Sequence, residues 1–147
     1  MKYSLKIIID LPLKETIAKM DSLENLKKWQ DGLITARVVS GNFGEQGAKT
    51  ELKYDFGKRK ITMIETILET EMPHHLIAEY RAPGVLNIQK NTFESTEDGK
   101  TVWRSESEFK FDGLGMKTLG LLMPGIFKKQ SLKYMRDFKN FAESEIA

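Results

Sequence analysis

Glu65 is the side chain in this sequence with the clearest potential for acid–base chemistry. A two-residue turn at Gly57-Lys58 places Glu65 on the same strand face as a largely apolar set of residues. That set consists of Leu52, Tyr54, Phe56, Ile61, Met63, Ile67 and Glu69. A carboxyl group in an apolar cavity is disfavoured in its charged form, which suits it to act as a general acid or base. Glu65 is therefore a candidate catalytic residue, and Tyr80 is the second candidate for proton transfer.

The remaining residues exclude several other chemistries. His74 and His75 are the only histidines, and adjacent residues on a strand point to opposite faces, so the pair is not expected to chelate one metal ion. The chain has no cysteine and no Gly-x-Ser-x-Gly elbow, which leaves thiolate sites and triad hydrolases without support. No phosphate-binding glycine loop opens a helix. We therefore expect no metal and no cofactor.

Composition sets the scale and the class of the protein. The 147 residues, 40% of them hydrophobic, are enough for one domain with a sizeable core. The chain has 23 lysines and arginines and 21 acidic residues. We therefore expect no strong positive electrostatic potential that would attract nucleic acid. The first thirteen residues contain Asp10 and Pro12 and do not form a signal peptide. We expect a soluble, cytoplasmic protein.

The elements that must position these residues follow from the hydrophobic pattern. Tyr3, Leu5 and Ile7 alternate with polar residues as in a half-buried strand, and two short helices are predicted between Pro12 and Trp29. From Leu33 to Phe111, six strand-like segments are separated by turns too short for parallel crossovers, which predicts an antiparallel meander. After Gly115 the period becomes helical to the C-terminus.

The C-terminal helix is strongly amphipathic. One arc of about 120° collects its aromatic and small residues when the chain is projected at about 100° per residue. These residues are Phe127, Ser131, Tyr134, Met135, Phe138, Phe141 and Ala142. A stripe this apolar must pack on a large apolar surface, and the sheet is the candidate. Pro124 and Gly125 interrupt the preceding apolar segment, Leu119 to Phe127, which predicts a bend or break there.

This arrangement resembles the START-like superfamily, the birch-pollen-allergen-like or SRPBCC fold, over the whole chain. Local features shared with its polyketide cyclase/dehydrase and lipid transport members are Pro12 opening a helix, Trp29 before Asp31-Gly32, a Gly-x-x-Gly ending at Gly47, Glu71-Met72-Pro73, and Asp98-Gly99-Lys100-Thr101. Leu11 departs from the small polar residue that many relatives have before the proline. None of these features is a catalytic signature.

The resemblance implies one START-like domain over residues 1–147 with α+β architecture. In this helix-grip fold, a curved antiparallel sheet of seven strands wraps a long C-terminal helix, and two short helices follow the first strand. The cavity between sheet and helix holds lipids, hormones or polyketides in relatives. A shared fold does not determine the chemistry.

Strand parity predicts what lines that cavity. Between Thr101 and Phe111 the inward residues are Trp103, Ser105, Ser107, Phe109 and Phe111. For the preceding strand, a two-residue loop at Asp98-Gly99 directs Leu86, Ile88, Lys90 and Thr92 inward. A three-residue loop from Glu97 to Gly99 instead directs Asn87, Gln89, Asn91 and Phe93 inward and pairs Phe93 with Trp103. We favour the second loop, because a type I turn followed by a left-handed glycine suits Glu97-Asp98-Gly99.

Three functions are compatible with such a cavity. The leading hypothesis is binding or transport of a small hydrophobic or amphipathic ligand. Its predicted ligand-binding residues are Tyr54, Met63, Asn91, Trp103, Ser105, Ser107, Phe127, Ser131 and Met135. The alternative is a cyclase or dehydratase that uses Glu65 or Tyr80 in the same cavity. The further alternative is a protein-interaction module.

A surface hypothesis comes from the charge of the C-terminal helix. From Gly113 to Ala142 there are six basic residues and one acidic residue. Lys128, Lys129 and Lys133 could therefore support transient contact with an anionic membrane surface. The ligand's identity, turnover and the oligomeric state are left open by the sequence.

Overall fold

The computed structural model describes residues 1–113 and 124–144. In chain order the elements are β1 (Lys2–Ile9), α1 (Leu13–Met20), α2 (Leu26–Trp29), β2 (Leu33–Ser40), β3 (Lys49–Asp55), β4 (Lys60–Glu71), β5 (His75–Ala82), β6 (Val85–Ser95), β7 (Thr101–Phe111) and α3 (Pro124–Ser144). The predicted order of strand, two short helices, six strands and one long helix is confirmed.

All seven strands form one antiparallel sheet in the order β1-β7-β6-β5-β4-β3-β2. The edges are therefore β1 and β2. The sheet is curved, and α3 approaches β1, α2 and α1 most closely, so the helix lies toward the β1 side of the concave face. The predicted helix-grip architecture is confirmed.

The hairpin loops fix which side chains face the helix. Between β6 and β7, Thr96 N–H donates to the Lys100 carbonyl at 2.9 Å, which leaves the three-residue loop Glu97 to Gly99. Gly99 has φ +80°, the left-handed conformation that this loop requires. Phe93 consequently pairs with Trp103, as the three-residue alternative predicts.

The β3–β4 hairpin also has the predicted loop, but the strand that follows departs from its predicted parity. Phe56 N–H donates to the Arg59 carbonyl at 2.9 Å around the two-residue turn. A bulge at Leu68 then interrupts the pairing of β4 with β5. Because a bulge shifts the alternation by one residue, Glu69 is exposed rather than inward as expected. Phe56 was also expected inward; it lies beyond the end of β3 and is 45% exposed.

The dry core occupies the end of the concave face near α1 and the C-terminal half of α3. It consists of Ile9, Leu11, Phe93, Trp103, Met135, Phe138 and Ala142. Phe138 is fully buried and presents its ring edge to Trp29 at 5.2 Å and to Trp103 at 5.6 Å between ring centroids. Edge-to-face packing of this kind is favourable beyond the area it buries.

Polar contacts attach both helical layers to the sheet. The buried Thr16 hydroxyl of α1 donates to the Pro12 carbonyl and lies 3.1 Å from the hydroxyl of Thr101, which donates to the Leu11 carbonyl. Near the end of α3, Lys139 donates to the Ile8 carbonyl at 2.7 Å. The Thr16 and Thr101 bonds satisfy buried polar groups, and the exposed Lys139 bond ties the end of α3 to β1.

The C-terminal helix shows the predicted division of its surface. Its core-facing stripe is buried or half-buried, whereas Lys128, Lys129, Arg136 and Asn140 are exposed. The described part of the helix runs from Pro124 to Ser144. Most of the apolar segment from Leu119 to Phe127, including its predicted entry into the helix, falls within residues 114–123 and lies outside the described residues.

Candidate functional site

A polar row crosses the concave face at the level of Glu65. Thr50 of β3 pairs with Glu65 of β4, Glu65 with Tyr80 of β5, and Tyr80 with Asn87 of β6. Directly paired residues of an antiparallel sheet share a face, so these four side chains are neighbours on the wall that faces the helix. The two candidate proton-transfer residues are thus brought together.

Glu65 and Tyr80 interact directly. The two residues are directly paired, and the Tyr80 hydroxyl is near enough to the Glu65 carboxylate to interact with it as a donor. Burial raises the pKa of the Glu65 carboxyl above its ordinary value of 4.5, while the interaction with Tyr80 opposes that rise. Burial, together with the nearby Glu65 charge, raises the pKa of Tyr80 well above its ordinary range. At neutral pH Tyr80 is a donor, and Glu65 is the group poised to exchange a proton.

Tyr54 extends this cluster toward both helices. Its hydroxyl donates to Gln30 Oε1 at 2.6 Å, just after α2. Burial raises the pKa of Tyr54, and the neighbouring Tyr134 of α3 and Glu65 raise it further. Tyr54 is therefore near enough to interact electrostatically with both the sheet carboxylate and the helix tyrosine. Tyr80 pairs directly with Glu65, whereas Tyr54 pairs with Ile61, two inward positions along β4, and Tyr134 acts on Tyr54.

A second polar group lies one strand further along. Asn87 is buried and its amide nitrogen donates to the Glu108 carbonyl at 3.1 Å. Gln89 Nε2 donates in turn to Asn87 Oδ1 at 2.8 Å. The two amides are held in fixed orientations, and Gln89 is half-buried on the inward face. Together they continue the polar belt between the dry core and the rest of the cavity wall.

Asn91 and Trp103 lie at the dry end of the wall. The indole N–H of Trp103 donates to Asn91 Oδ1 at 2.9 Å within the core. Met135, 2% exposed, packs in the same cluster. Of the predicted ligand-binding residues, these three are packed by protein on all sides. They belong to the packed core rather than to the partly exposed part of the wall.

Tyr3 joins the sheet to the start of α3. Its hydroxyl donates to the Phe127 carbonyl at 3.1 Å and accepts from Ser131, whose Oγ lies 2.6 Å away. Phe127 packs on Phe109 and Phe111 with ring centroids 4.9 and 5.5 Å apart. The predicted residues Phe127 and Ser131 are thereby placed against β7.

Two more predicted residues lie on β7, in the row next to Tyr3. Ser105 and Ser107 are both buried, at 7% and 3% exposure. Ser107 Oγ makes no hydrogen bond of regular geometry, although the Tyr3 hydroxyl is near enough to interact with it. This buried hydroxyl can therefore form a hydrogen bond with a further donor or acceptor.

Between these groups, part of the inward face of the sheet and of α3 remains accessible to solvent. The inward-facing side chains that retain partial exposure are Ile61, Met63, Glu65, Tyr80, Gln89, Phe109, Phe111, Phe127 and Tyr134. They come from β4, β5, β6, β7 and α3. Tyr54 and Met63, the remaining predicted ligand-binding residues, lie here in one cluster with Leu33 and Leu52. The arrangement is an apolar lining with a polar strip, which is the usual composition of a small-molecule site.

Glu65 is the charged residue among the inward positions of the described strands. The basic residues of the neighbouring strands point to the outer face and have outer partners: Lys53 pairs with Glu51, Arg81 with Glu79, and Lys49 with Thr66. Among the described residues, no three potential metal ligands converge.

The lysines of the surface hypothesis differ from one another. Lys133 is bound by Asp31 at 2.7 Å and by Asp137 at 2.5 Å, and these partners raise its pKa. Lys128 and Lys129 are exposed and pair with no described residue. Within residues 1–113 and 124–144, no helix is long and apolar enough to cross a membrane.

Sequence reasoning missed two parts of this site. Gln30 gives no signal in the sequence, because it lies at the end of a four-residue helix whose direction depends on packing. The pairing of Glu65 with Tyr80 depends on the β4–β5 register, which the bulge at Leu68 sets. Tyr134 was visible as part of the helix stripe but not as a neighbour of Tyr54.

No protein-family model matches the chain. No curated protein matches it either. Many solved structures do match it in fold. Ara h 8.0201 is 12% identical with a TM-score of 0.78, over 99% of this chain and 99% of that one. The Zhui aromatase/cyclase from a Streptomyces species is 11% identical with a TM-score of 0.78, over 100% and 96%.

A conserved protein from Geobacillus kaustophilus is 15% identical with a TM-score of 0.77, over 98% of this chain and 96% of that one. At these identities the likeness concerns the fold and not the activity. It agrees with the strand order, the two short helices and the long helix described above. The chain has a helix-grip fold.

Proposed function

We propose that this protein binds a small amphipathic molecule in the space between the concave sheet and α3. The observation that carries the proposal is the partly exposed inward wall around Met63, Tyr80 and Phe127, in a fold whose other end is fully packed. A protein that needed this interior only for stability would gain by filling it with larger side chains, because packed interiors leave few voids.

The division of the wall supports an amphipathic ligand rather than a purely apolar one. Met63, Phe109 and Phe127 provide apolar surface, while Glu65, Tyr80 and Gln89 form the polar strip beside it. Buried polar groups cost free energy unless they are paired. A ligand with one polar end can satisfy this strip and cover the apolar wall at the same time.

The direct test is recovery of the ligand. The protein is purified under native conditions and denatured, and the released small molecules are identified by mass spectrometry. We expect an apolar or amphipathic compound in a stoichiometric amount. In parallel, the stripped protein is titrated with the uncharged dye N-phenyl-1-naphthylamine, whose fluorescence rises on transfer to an apolar site.

A matched pair of variants locates the binding. Met63→Trp adds a large ring inside the cavity, whereas Thr62→Trp places the same ring on the exposed outer face of β4. We expect Met63→Trp to abolish saturable dye binding and Thr62→Trp to preserve it. No bound compound together with no saturable dye binding would refute the proposal and favour a protein partner instead.

A second candidate function is acid–base catalysis in the same cavity. It is favoured by the Glu65–Tyr80 pair, since burial raises the pKa of the carboxyl toward the range in which it exchanges protons. The Zhui aromatase/cyclase has a similar fold. The recovered ligand or its precursor is incubated with the protein and followed by mass spectrometry. Loss of turnover in Glu65→Gln with retained binding supports an enzyme; no conversion by the wild-type protein supports a carrier.

A further inference from the structure

Glu65 on the inward wall has no positively charged partner among residues 1–113 and 124–144. Glu65 lies on the inward face. The described groups that interact electrostatically with it are Tyr80 and Tyr54, and both are neutral at physiological pH. The lysines and arginines of β3 and β5 are on the outer face with partners of their own. A carboxylate withdrawn from water in this way is destabilised unless a cation joins it.

The surroundings of Glu65 are also suited to a cation. Tyr54 and Tyr80 come from the strands on either side of β4, and Tyr134 of α3 interacts with Tyr54 from the helix side. Tyrosine rings attract cations through their electron-rich faces, and the attraction strengthens where water is excluded. A carboxylate beside a tyrosine ring, as Glu65 lies beside Tyr80, is complementary to an organic ammonium group.

We propose that the polar end of the ligand is a cationic nitrogen, so that the protein binds a hydrophobic amine whose ammonium group pairs with Glu65 beside Tyr80. This inference rests on the proposed function, and it names the ligand class. The apolar body of the amine lies on Met63, Phe109 and Phe127, which line the adjoining wall.

Other polar ends fit this wall less well. A carboxylate or phosphate would meet Glu65, and no lysine or arginine of the described strands points inward to compensate it. An alcohol or carbonyl could bond to Tyr80 or Gln89, but it would leave the charge of Glu65 uncompensated. The preferred order is therefore amine, then neutral compound, then acid.

The pH dependence has a definite sign. Pairing requires ionised Glu65, and burial raises the pKa of this carboxyl in the free protein. The other titratable groups that face it, Tyr80 from β5 and Tyr54 from β3 with Tyr134 behind it, remain protonated over the relevant range because their pKa values are raised. Amine affinity therefore increases as pH rises through the Glu65 pKa, while alcohol affinity does not.

The test compares three ligands that share one apolar chain: 1-octylamine, 1-octanol and octanoate. Their dissociation constants are measured by isothermal titration calorimetry at pH 7.5 with the full chain. We expect the amine to bind at least about tenfold more tightly than the alcohol, and octanoate to bind most weakly. Glu65→Gln should remove the advantage of the amine over the alcohol.

Glu71→Gln is the matched control, because it removes the same charge from an exposed position on the same strand. It should leave all three affinities unchanged. If the alcohol and octanoate bind as tightly as the amine, or if Glu65→Gln keeps the preference, the inference is wrong although the cavity binds ligands. If none of the three binds, and N-phenyl-1-naphthylamine does not bind either, the proposed function is wrong as well.

Discussion

Trp103 of β7 and Asn91 of β6 are diagonal neighbours on the inward face, and the indole N–H of Trp103 donates to Asn91 Oδ1 at 2.9 Å inside the core. Phe93 stacks on the indole from the same strand as Asn91, and Phe138 of α3 packs on it in a T-shaped arrangement. The bond therefore satisfies the single polar group of a ring that is otherwise enclosed by apolar atoms. It fixes the orientation of the indole within the packed core.

Asn91→Ala should destabilise the protein by about 1–3 kcal/mol, because it leaves the buried indole N–H without an acceptor. Urea denaturation of Asn91→Ala, Trp103→Phe and the double variant measures the interaction. We expect the double variant to be more stable than the sum of the two losses implies. Additive losses within about 0.5 kcal/mol would show that the bond contributes nothing specific.

Phe138→Ala should cost about 3–5 kcal/mol, since the ring is fully buried and contacts Trp29 and Trp103. Thermal or urea unfolding gives the loss, and tryptophan emission should shift to the red because both indoles lose a neighbour. Phe141→Ala, at a half-buried position on the same helix, is the comparison and should cost less. Equal losses would contradict the central place of Phe138.

The fold could be predicted because its signals are local. Strand alternation, helical periodicity and turn residues each act over a few positions, and the Glu97-Asp98-Gly99 loop alone determined that Asn91 and Phe93 face inward. A left-handed glycine at the third loop position leaves one low-energy geometry for the hairpin. Once the loop is known, the alternation of side chains along β6 determines which of its residues face inward.

The site could be predicted only in part, because its geometry depends on long-range packing. Glu65 was placed on the correct face, but Glu69 was not, since the bulge at Leu68 reverses the alternation without a glycine or proline to mark it. Trp103 and Met135 face inward as predicted, and whether they contact a ligand or the core depends on Phe138, which closes over them from α3. Such closure is a property of two elements far apart in sequence.

Tyr3→Phe should loosen the N-terminal half of α3. The change removes the hydroxyl that bonds to Ser131 and to the Phe127 carbonyl, and we expect a loss of about 1 kcal/mol. Hydrogen exchange should accelerate for amides near Phe127 and Ser131. The C-terminal turns keep their contact from Lys139 to the Ile8 carbonyl and should be unaffected. An equal acceleration along the whole helix would contradict this local role.

Glu65→Gln should stabilise the free protein at neutral and higher pH. Burial raises the pKa of Glu65 in the folded state, so the folded protein binds this proton more tightly than the unfolded chain does. The ionised carboxyl therefore carries a penalty above its folded-state pKa, and the penalty disappears as the pH falls through that pKa and below the ordinary value of 4.5. Glutamine has no ionisable carboxyl and therefore has no such penalty at any pH.

The difference in unfolding free energy between Glu65→Gln and the wild type, measured by urea denaturation across pH 4 to 8, should thus grow with pH and vanish at the acid end. Glu71→Gln, whose side chain stays in water, should show no such trend. Addition of 1-octylamine should cancel the gain at pH 7.5, since the wild-type carboxylate then has its cation. A wild type more stable than Glu65→Gln at pH 7.5 without ligand would mean that a basic group of this chain already pairs with Glu65.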